Sequence, residues 1–587
     1  MQSNPEKIQP WTVILVFVIA FALTFFVCRL TLHPGVGPGS SGAWAADAVG
    51  AGSGQTAVIA PLFRLLTRTT AALGPDNSIA LRLNYLTLLG HALFAGITGI
   101  GLLLVFHRWN VWATPMVSAW GGALAGISRL GWASGLLVNP APWSIFFITA
   151  AFLLLFGARN AVTRQTQFRC TILSGLAAGI ALALYLAAAI AIPAYLLFLF
   201  METRRIARNA RLALFPGLIL PMLLFAFGME KPIFLVYGLF VSAPGVSELT
   251  GLSFLGWAGF WALTPAALLF SLWGLVRVLQ LYTTVRLPVL LLLICILGGA
   301  FAGGGIFQFA ALLLTALIVI LAIIGVIDLI NRIPSGYAIS LWLLFPVIWW
   351  WHGSILNRSG ETIWETHVSN TIRTVRLNSM LISLDDELIN APYAYLREAK
   401  DMRPDLALMN PLHLQEPAYL DRIEKQFGTR LNPVRTKFDS LKSLVNDPNS
   451  DALLRKKILT SFLSGLITSQ IEKPGVLMSP GFTPPINDYT PVAEGLFVRI
   501  LGNGKPYPFH FVGLNLDEIK FKSGDSSLKQ RLVAAYPMMF TARGSWMLSR
   551  KLSSEGIEYI RWALKIDPDY IPARIVARDY GIVGPPK

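Results

Sequence analysis

Eleven apolar spans follow one another before Trp351, and hardly any acids interrupt them. A hydrocarbon core ~30 Å thick asks about 20 apolar residues of each helix that crosses it, so this succession reads as a polytopic membrane region. Up to Trp351 there are 2 Lys and 16 Arg against seven acids: Glu6, Asp47, Asp76, Glu202, Glu230, Glu248 and Asp328. The rest of the chain carries 30 basic and 25 acidic residues and has ordinary soluble character. A mean hydropathy of +0.58 over 587 residues is too apolar for a soluble protein.

The spans run over 11–32, 83–106, 113–138, 143–158, 171–185, 186–201, 212–228, 253–277, 287–304, 306–328 and 335–350. The stretch 171–201 is divided because a single helix of that length would reach roughly 46 Å and need strong tilt. Basic residues alternate in the short loops: Lys7, Arg108, Arg159, Arg164, Arg169, Arg204, Arg205, Arg208, Arg211, Arg277, Arg286 and Arg332 on one side, little beyond Lys231 on the other. The positive-inside rule then puts the N-terminus in the cytoplasm, and eleven crossings put the C-terminal domain outside. The first span is longer than a signal peptide's apolar core, and Ala43-Trp44-Ala45 lies too far downstream for cleavage, so the reading is an uncleaved helix. The net charge of +16 comes mostly from the membrane half, in topology-setting Arg, which excludes a nucleic-acid groove. Cys28, Cys170 and Cys295 all fall in or beside spans, so the C-terminal domain needs no disulfide.

Two segments lie outside the spans. The loop 33–82 starts rich in Gly and Pro and continues into an amphipathic stretch, Ile59 to Leu73, suited to a membrane surface. The C-terminal domain reads as α/β over 352–527, with a β-α-β unit at 379–410, and as a helical hairpin with a tail over 528–587. Asp385-Asp386-Glu387 follows the first strand of that unit. Acids there suit a metal or a sugar hydroxyl, although a solvated helix N-terminus is the commoner use. Helices at 528–551 and 554–566, with Gly544, Gly556, Ile560, Ala563 and Pro568, fit one tetratricopeptide-like hairpin, too little for a solenoid and better suited to a packing cap.

The layout resembles the GT-C class of integral membrane glycosyltransferases, and within it the bacterial protein O-mannosyltransferase-like membrane proteins. Gly39-Ser40-Ser41-Gly42-Ala43-Trp44 stands at that family's first acidic motif, Pro61-Leu62-Phe63 at the end of its second, and Asp76 to Asn84 at its Arg-x-Asn helix entry. Gly175 to Leu182 is similar to its fifth-span motif, and Arg403-Pro404-Asp405 to an Arg-Pro-Asp found in many C-terminal domains of the family. The resemblance implies a GT-C-like bundle of residues 1–351 in the bacterial inner membrane, with a periplasmic C-terminal domain. It also implies a polyprenyl-phosphate-linked sugar as donor, with a protein or glycan as acceptor. No other cofactor and no metal is evident.

The departures fall on the chemistry. The family's acids correspond here to Ser40, Ala43 and Asn139, and its His-Pro-Pro-Gly stretch to Thr56-Ala57-Val58-Ile59. Neither Ser nor Asn takes a proton at neutral pH as a carboxylate does. Asp47 is the acid left in that loop and the candidate base, its ordinary alternative being a loop cap. In the third span Arg129 has no acid at its depth, and His91 stands near it in depth. An Arg there costs roughly 2.5–3.5 kcal/mol on insertion scales unless an anion relieves it, and a lipid phosphate is such an anion. Snorkelling of Arg129 and simple packing of His91 are the alternatives. Arg129, His91, Ser40, Asn139 and Arg82 are thus the candidate substrate-binding residues.

No P-loop, Gly-x-Gly-x-x-Gly, zinc spacing or Gly-x-Ser-x-Gly occurs, which argues against an ATP-driven pump. The spans offer no carboxylate at mid-depth for ion coupling, which argues against a secondary transporter. Two readings stay open: a glycosyltransferase using polyprenyl-phosphate sugars, or a catalytically inactive scaffold or lipid-binding subunit of an envelope complex. Membrane lipids are partners in both, and a protein partner would dock through the C-terminal domain.

Overall fold

The computed structural model describes every residue except 1–7, 39, 53–58, 75–78, 109–113, 202–205, 227–264, 282–285, 303, 331–356, 448, 472–474, 503–513, 521–526 and 583–587. The span expected at 335–350, the boundary at Trp351, residues 253–264 of the 253–277 span, the Thr56-Ala57-Val58 match and Asp76-Asn77-Ser78 lie outside the described residues. The chain divides into two compact units. One comprises Met1–Pro34 and Gln55–Gly360, the other Gly35–Gly54 and Glu361–Lys587. The loop 33–82 is therefore split, and its Gly-rich part folds with the C-terminal residues.

The first unit is helical: α1 (Pro10–Leu30), then, beyond α2 (Ser40–Ala48) of the other unit, α3 (Pro61–Ala72), α4 (Ile79–Arg108), α5 (Thr114–Gly126), α6 (Arg129–Gly135), α7 (Ala141–Asn160), α8 (Arg164–Leu184), α9 (Ile192–Met201), α10 (Arg208–Ala226), α11 (Pro265–Leu281), α12 (Arg286–Ala302) and α13 (Gly304–Ile330). Among the described residues, Pro10–Leu30, Ile79–His107, Ala141–Asn160, Arg164–Leu184 and Leu312–Leu329 are long and apolar enough to cross a membrane, and shorter apolar helices accompany them. The chain is an integral membrane protein.

The chain divides within 171–201 where the expected spans meet, and one span expected whole is broken. The stretch 171–201 changes course at Tyr185, which is extended (φ −160°, ψ 111°), and continues as a 3-10 turn before α9. The span expected at 113–138 is not one helix. It stops at Gly126 and restarts at Arg129, because the Gly126 carbonyl is taken by the His91 ring and the Ser128 hydroxyl turns back to the Ala125 carbonyl. Side-chain bonds of this kind replace the ladder at a helix end. The amphipathic stretch forms α3, which buries Phe63, Thr67 and Ala71 at four-residue spacing. Further along, Asp328 on α13 accepts from Arg277 at 3.0 Å and from the Trp273 indole at 3.0 Å, both on α11, so the one acid in the last described span is neutralised.

In the second unit α14 (Ile363–Arg373) precedes β1 (Met380–Ile382), α15 (Ala391–Lys400) and β2 (Ala407–Met409). Then come α16 (Pro417–Phe427), α17 (Arg435–Asn446), α18 (Ala452–Gln470), β3 (Val476–Met478), β4 (Tyr489–Glu494), β5 (Phe497–Gly502), α19 (Ser527–Ser549), α20 (Ser553–Ile566) and α21 (Ile571–Asp579). The sheet order is β2-β1-β3-β5-β4. β1 pairs in parallel with both β2 and β3, Leu381 lying opposite Leu408 and Leu477, while β5 runs antiparallel to its neighbours. The three parallel strands are buried throughout, as their continuous apolar runs require. Met380, Ile382, Met409, Phe438, Phe462 and Met478 form the core between sheet and helices.

Arg403-Pro404-Asp405 has a structural use. The Arg403 guanidinium forks onto Asp405 (2.8 and 3.0 Å) and donates to the carbonyls of Ile372 and Val375, which ties the end of α14 to the start of β2. The helices expected at 528–551 and 554–566 are α19 and α20. They cross where Gly544 and Gly556 meet, since a Cβ at Gly544 would lie 3.0 Å from the Gly556 carbonyl oxygen. Arg543 donates to the Ala493 carbonyl at 3.2 Å, fastening α19 to β4.

Candidate functional site

Four of the six expected site residues belong to the membrane unit. His91 is buried on α4, and its Nε2 lies 2.6 Å from the Gly126 carbonyl oxygen. That oxygen only accepts, so Nε2 carries the proton and donates. Beside it a small cleft is lined by His91, Ser128, Phe94, Pro142, Ile145 and Leu312. Arg129 opens α6, directly after Ser128. Asn139 stands just before α7, and its Oδ1 accepts the Ala141 N–H at 3.0 Å, filling one of the donors left open at a helix start. Asn139→Ala should cost about 1 kcal/mol of stability, read as a small fall in the melting temperature of the detergent-solubilised protein. Arg82 reaches back to the carbonyls of Thr70 and Ala71 (3.3 and 2.8 Å), which closes the C-terminus of α3. Its neighbour Asn84 donates to the His33 carbonyl and accepts from the Val138 N–H, so the Arg-x-Asn pair works as a knot between loops.

The other two belong to the second unit. Ser40 begins α2, and Asp47 sits near its end with 1% of its surface exposed. The helix packs on α15 and on the turn Asp386–Asn390. The Val36 N–H donates to one Glu365 oxygen at 3.1 Å, and Lys400 pairs with the other at 2.9 Å. Arg422 donates to the Ala51 carbonyl while its guanidinium lies 4.6 Å from the Tyr419 ring centre. Asp47 is thus enclosed within this unit.

A third cluster gathers at the carboxyl ends of the parallel strands, and of its members the sequence singled out only the acids after β1. Asp385 caps the turn that follows β1, accepting from the N–H groups of Glu387 and Leu388 (3.2 and 3.0 Å), which is the ordinary use expected of an acid there. Asp386 turns the other way. Its Oδ1 accepts from the Asn390 and Asn410 amides at 2.8 and 2.7 Å, and its Oδ2 lies 2.5 Å from His413 Nε2. The other His413 nitrogen lies 2.7 Å from a Glu416 oxygen. Burial works to lower the His413 pKa, but hydrogen bonds and charge from Asp386 and Glu416 outweigh it and lift the value to about 9. Burial likewise works to raise Asp386, and the bonds from His413, Asn390 and Asn410 bring it below the usual carboxylate range. The imidazole is a cation at neutral pH with both nitrogens engaged, so it anchors Asp386 and is not a base. Beside this network Arg531 of α19 bridges Asp385 and Glu387 at 3.0 Å each. Among the described residues no group of three or more His, Cys, Asp or Glu is placed to hold a metal ion.

Fold and sites together define a polytopic helical membrane protein with an α/β unit built from its C-terminal residues and the segment 35–54. No family model matches the chain, and no curated protein matches it. It is similar to two crystal structures of ArnT from Cupriavidus metallidurans. The apo structure has a TM-score of 0.46 at 12% identity, covering 84% of this chain and 97% of that one. The structure bound to undecaprenyl phosphate has a TM-score of 0.41 at 12% identity, covering 83% and 97%.

Proposed function

We propose that this chain is a GT-C-type membrane protein that engages a polyprenyl-phosphate-linked sugar at the outer face of a bacterial inner membrane. The motif resemblance to the O-mannosyltransferase-like proteins supports the class. The observation that carries the ligand is Arg129, which follows the cleft residue Ser128 at a helix break inside an otherwise apolar span. A cation at that depth is stabilised by a lipid phosphate. In this reading the chain crosses the membrane eleven times, its C-terminal domain is periplasmic, and its helical hairpin is a tetratricopeptide-like cap.

Binding without transfer is the better-supported form of the proposal. The positions of the family's acids hold Ser40, Ala43 and Asn139, Asn139 is committed to the start of α7, and Asp47 is buried. The protein then serves as a lipid-binding or scaffolding subunit. Transfer with Asp47 as base is the second reading, and it needs the segment 35–54 to release that carboxylate.

Lipid copurifying with the detergent-extracted protein, identified by mass spectrometry, tests the ligand. Polyprenyl phosphate should be enriched with the wild type and lost with Arg129→Leu; equal lipid in both would refute the proposed site. Turnover of a labelled polyprenyl-phosphate sugar by the wild type, abolished by Asp47→Asn, would instead establish the second reading.

A further inference from the structure

The first turns of α18 differ from the rest of that helix. From Phe462 onward it feeds the core, with Phe462, Leu463, Leu466 and Ile467 buried. Residues 452–457 come before that stretch, and apart from Arg455 they are all exposed. Leu453 is 75% exposed, more than any other large apolar side chain described in this unit, and Leu454 is 43% exposed. Helical spacing sets Leu453 on one face with Lys456, Lys457 and Thr460.

The charge beside these leucines is not neutralised. Arg455 donates to the Ser450 carbonyl at 3.0 Å. Asp447 and Asp451, just before the helix, each accept a backbone N–H at 2.9 Å, from Asn449 and Leu453. On α17, which packs against α18, Lys442 is paired with Asp421 and Glu424 at 2.6 and 2.7 Å. Among the described residues no acid is paired in this way with Lys456 or Lys457.

We propose that this end of α18 docks on an acidic phospholipid surface. Leu453 and Leu454 enter the boundary between headgroups and acyl chains, and Lys456 and Lys457 meet the acidic headgroups. Apolar residues beside basic ones hold a helix in that boundary, and a Lys keeps its ammonium at headgroup level while its stem lies among apolar groups. A protein partner fits less well. Protein interfaces are depleted in Lys and enriched in aromatic residues, whereas this face has two Lys and no aromatic residue. Two leucines bind weakly by themselves, but a tether makes a weak contact effective. The tether is the chain itself, which passes between the membrane unit and this one at Pro34–Gly35, Gly54–Gln55 and Gly360–Glu361. The proposal goes beyond the lipid-carrier site at Arg129 and does not need it.

Hydrogen–deuterium exchange of the full-length protein tests it, in nanodiscs of phosphatidylcholine alone and of phosphatidylcholine with phosphatidylglycerol. Exchange in 452–461 should be slower in the acidic discs, since each Lys near an acidic surface strengthens binding roughly fivefold. Lys456→Gln combined with Lys457→Gln should remove that difference, and Leu453→Ser combined with Leu454→Ser should shrink it. All four side chains are exposed, so both double variants should fold, and each is compared with itself in the two discs. Equal exchange of the wild type in both discs overturns the proposal, as does a difference that either double variant leaves intact. Protection that appears only when other membrane proteins are added also overturns it, in favour of a protein partner.

Discussion

Gly175→Val should abolish the folded membrane unit, seen as loss of the monodisperse peak in size-exclusion chromatography of the detergent-solubilised protein. A Cβ at Gly175 would stand 2.2 Å from the Leu214 carbonyl oxygen on α10. The contact repeats along the same seam: a Cβ at Gly179 would be 2.5 Å from the Leu218 oxygen, and one at Gly217 would be 2.7 Å from the Ile172 oxygen. Small residues let membrane helices approach backbone to backbone, and van der Waals packing along such seams is a main source of their association. Overpacking usually costs about 1–3 kcal/mol, because side chains give way. Here the obstacle is backbone, so α8 and α10 must separate along their length. Gly157→Val on α7 is the control, since nothing lies within 4 Å of its added Cβ, and it should behave as wild type. A monodisperse Gly175→Val protein with unchanged melting would show that this seam does not hold the unit together.

His413→Gln should destabilise the strand-end cluster in a pH-dependent way. The His413 pKa rises from 6.5 to about 9 on folding. At 1.36 kcal/mol per unit, that is on the order of 3 kcal/mol. A raised folded pKa means this stability is fully present below the unfolded value of 6.5 and is lost as pH rises through about 9. Asp386 moves the opposite way, with a lowered folded pKa, so its part is present above 3.8 and fades as pH falls below that. Both shifts describe one interaction and do not add. The gap between wild type and variant should therefore be widest between about pH 4 and 6.5 and close near pH 10. Local exchange in 410–416 is the readout, because a two-unit chain has no single unfolding free energy. A gap that stays constant from pH 6 to 10 would mean His413 contributes shape and not charge.

Some of this was legible in the residues. The apolar spans announce a membrane protein, and among the described residues five of the helices they predict are long enough to cross. The β-α-β unit at 379–410 shows in its two apolar runs and the amphipathic helix between them. The hairpin shows in the spacing around Gly544 and Gly556. Other features were not legible. His91 and Arg129 were matched by depth, yet what His91 holds is the Gly126 carbonyl, and that bond marks the point where the third span breaks. Asn139 and Arg82 read as binding groups and Arg403 as part of a family motif; that Asn139 also caps a helix start, Arg82 closes a helix end and Arg403 clamps two elements could not be read from them.

Hydropathy and periodicity are properties of neighbouring residues, so the sequence by itself determined the membrane class, the helical spans and the α/β character of the C-terminal unit. Only the tertiary structure decided that residues 35–54 fold with residues beyond 360, through contacts such as Val36 to Glu365 and Ala51 to Arg422 that no local pattern encodes. It alone decided that Asp386 meets His413. The parallel pairing of Leu381 with Leu408 brings the ends of β1 and β2 side by side and sets the residues that follow each strand against one another. A carboxylate that reads as a solvated helix start becomes a half-buried anchor because the residues after the neighbouring strand supply an imidazole and an amide.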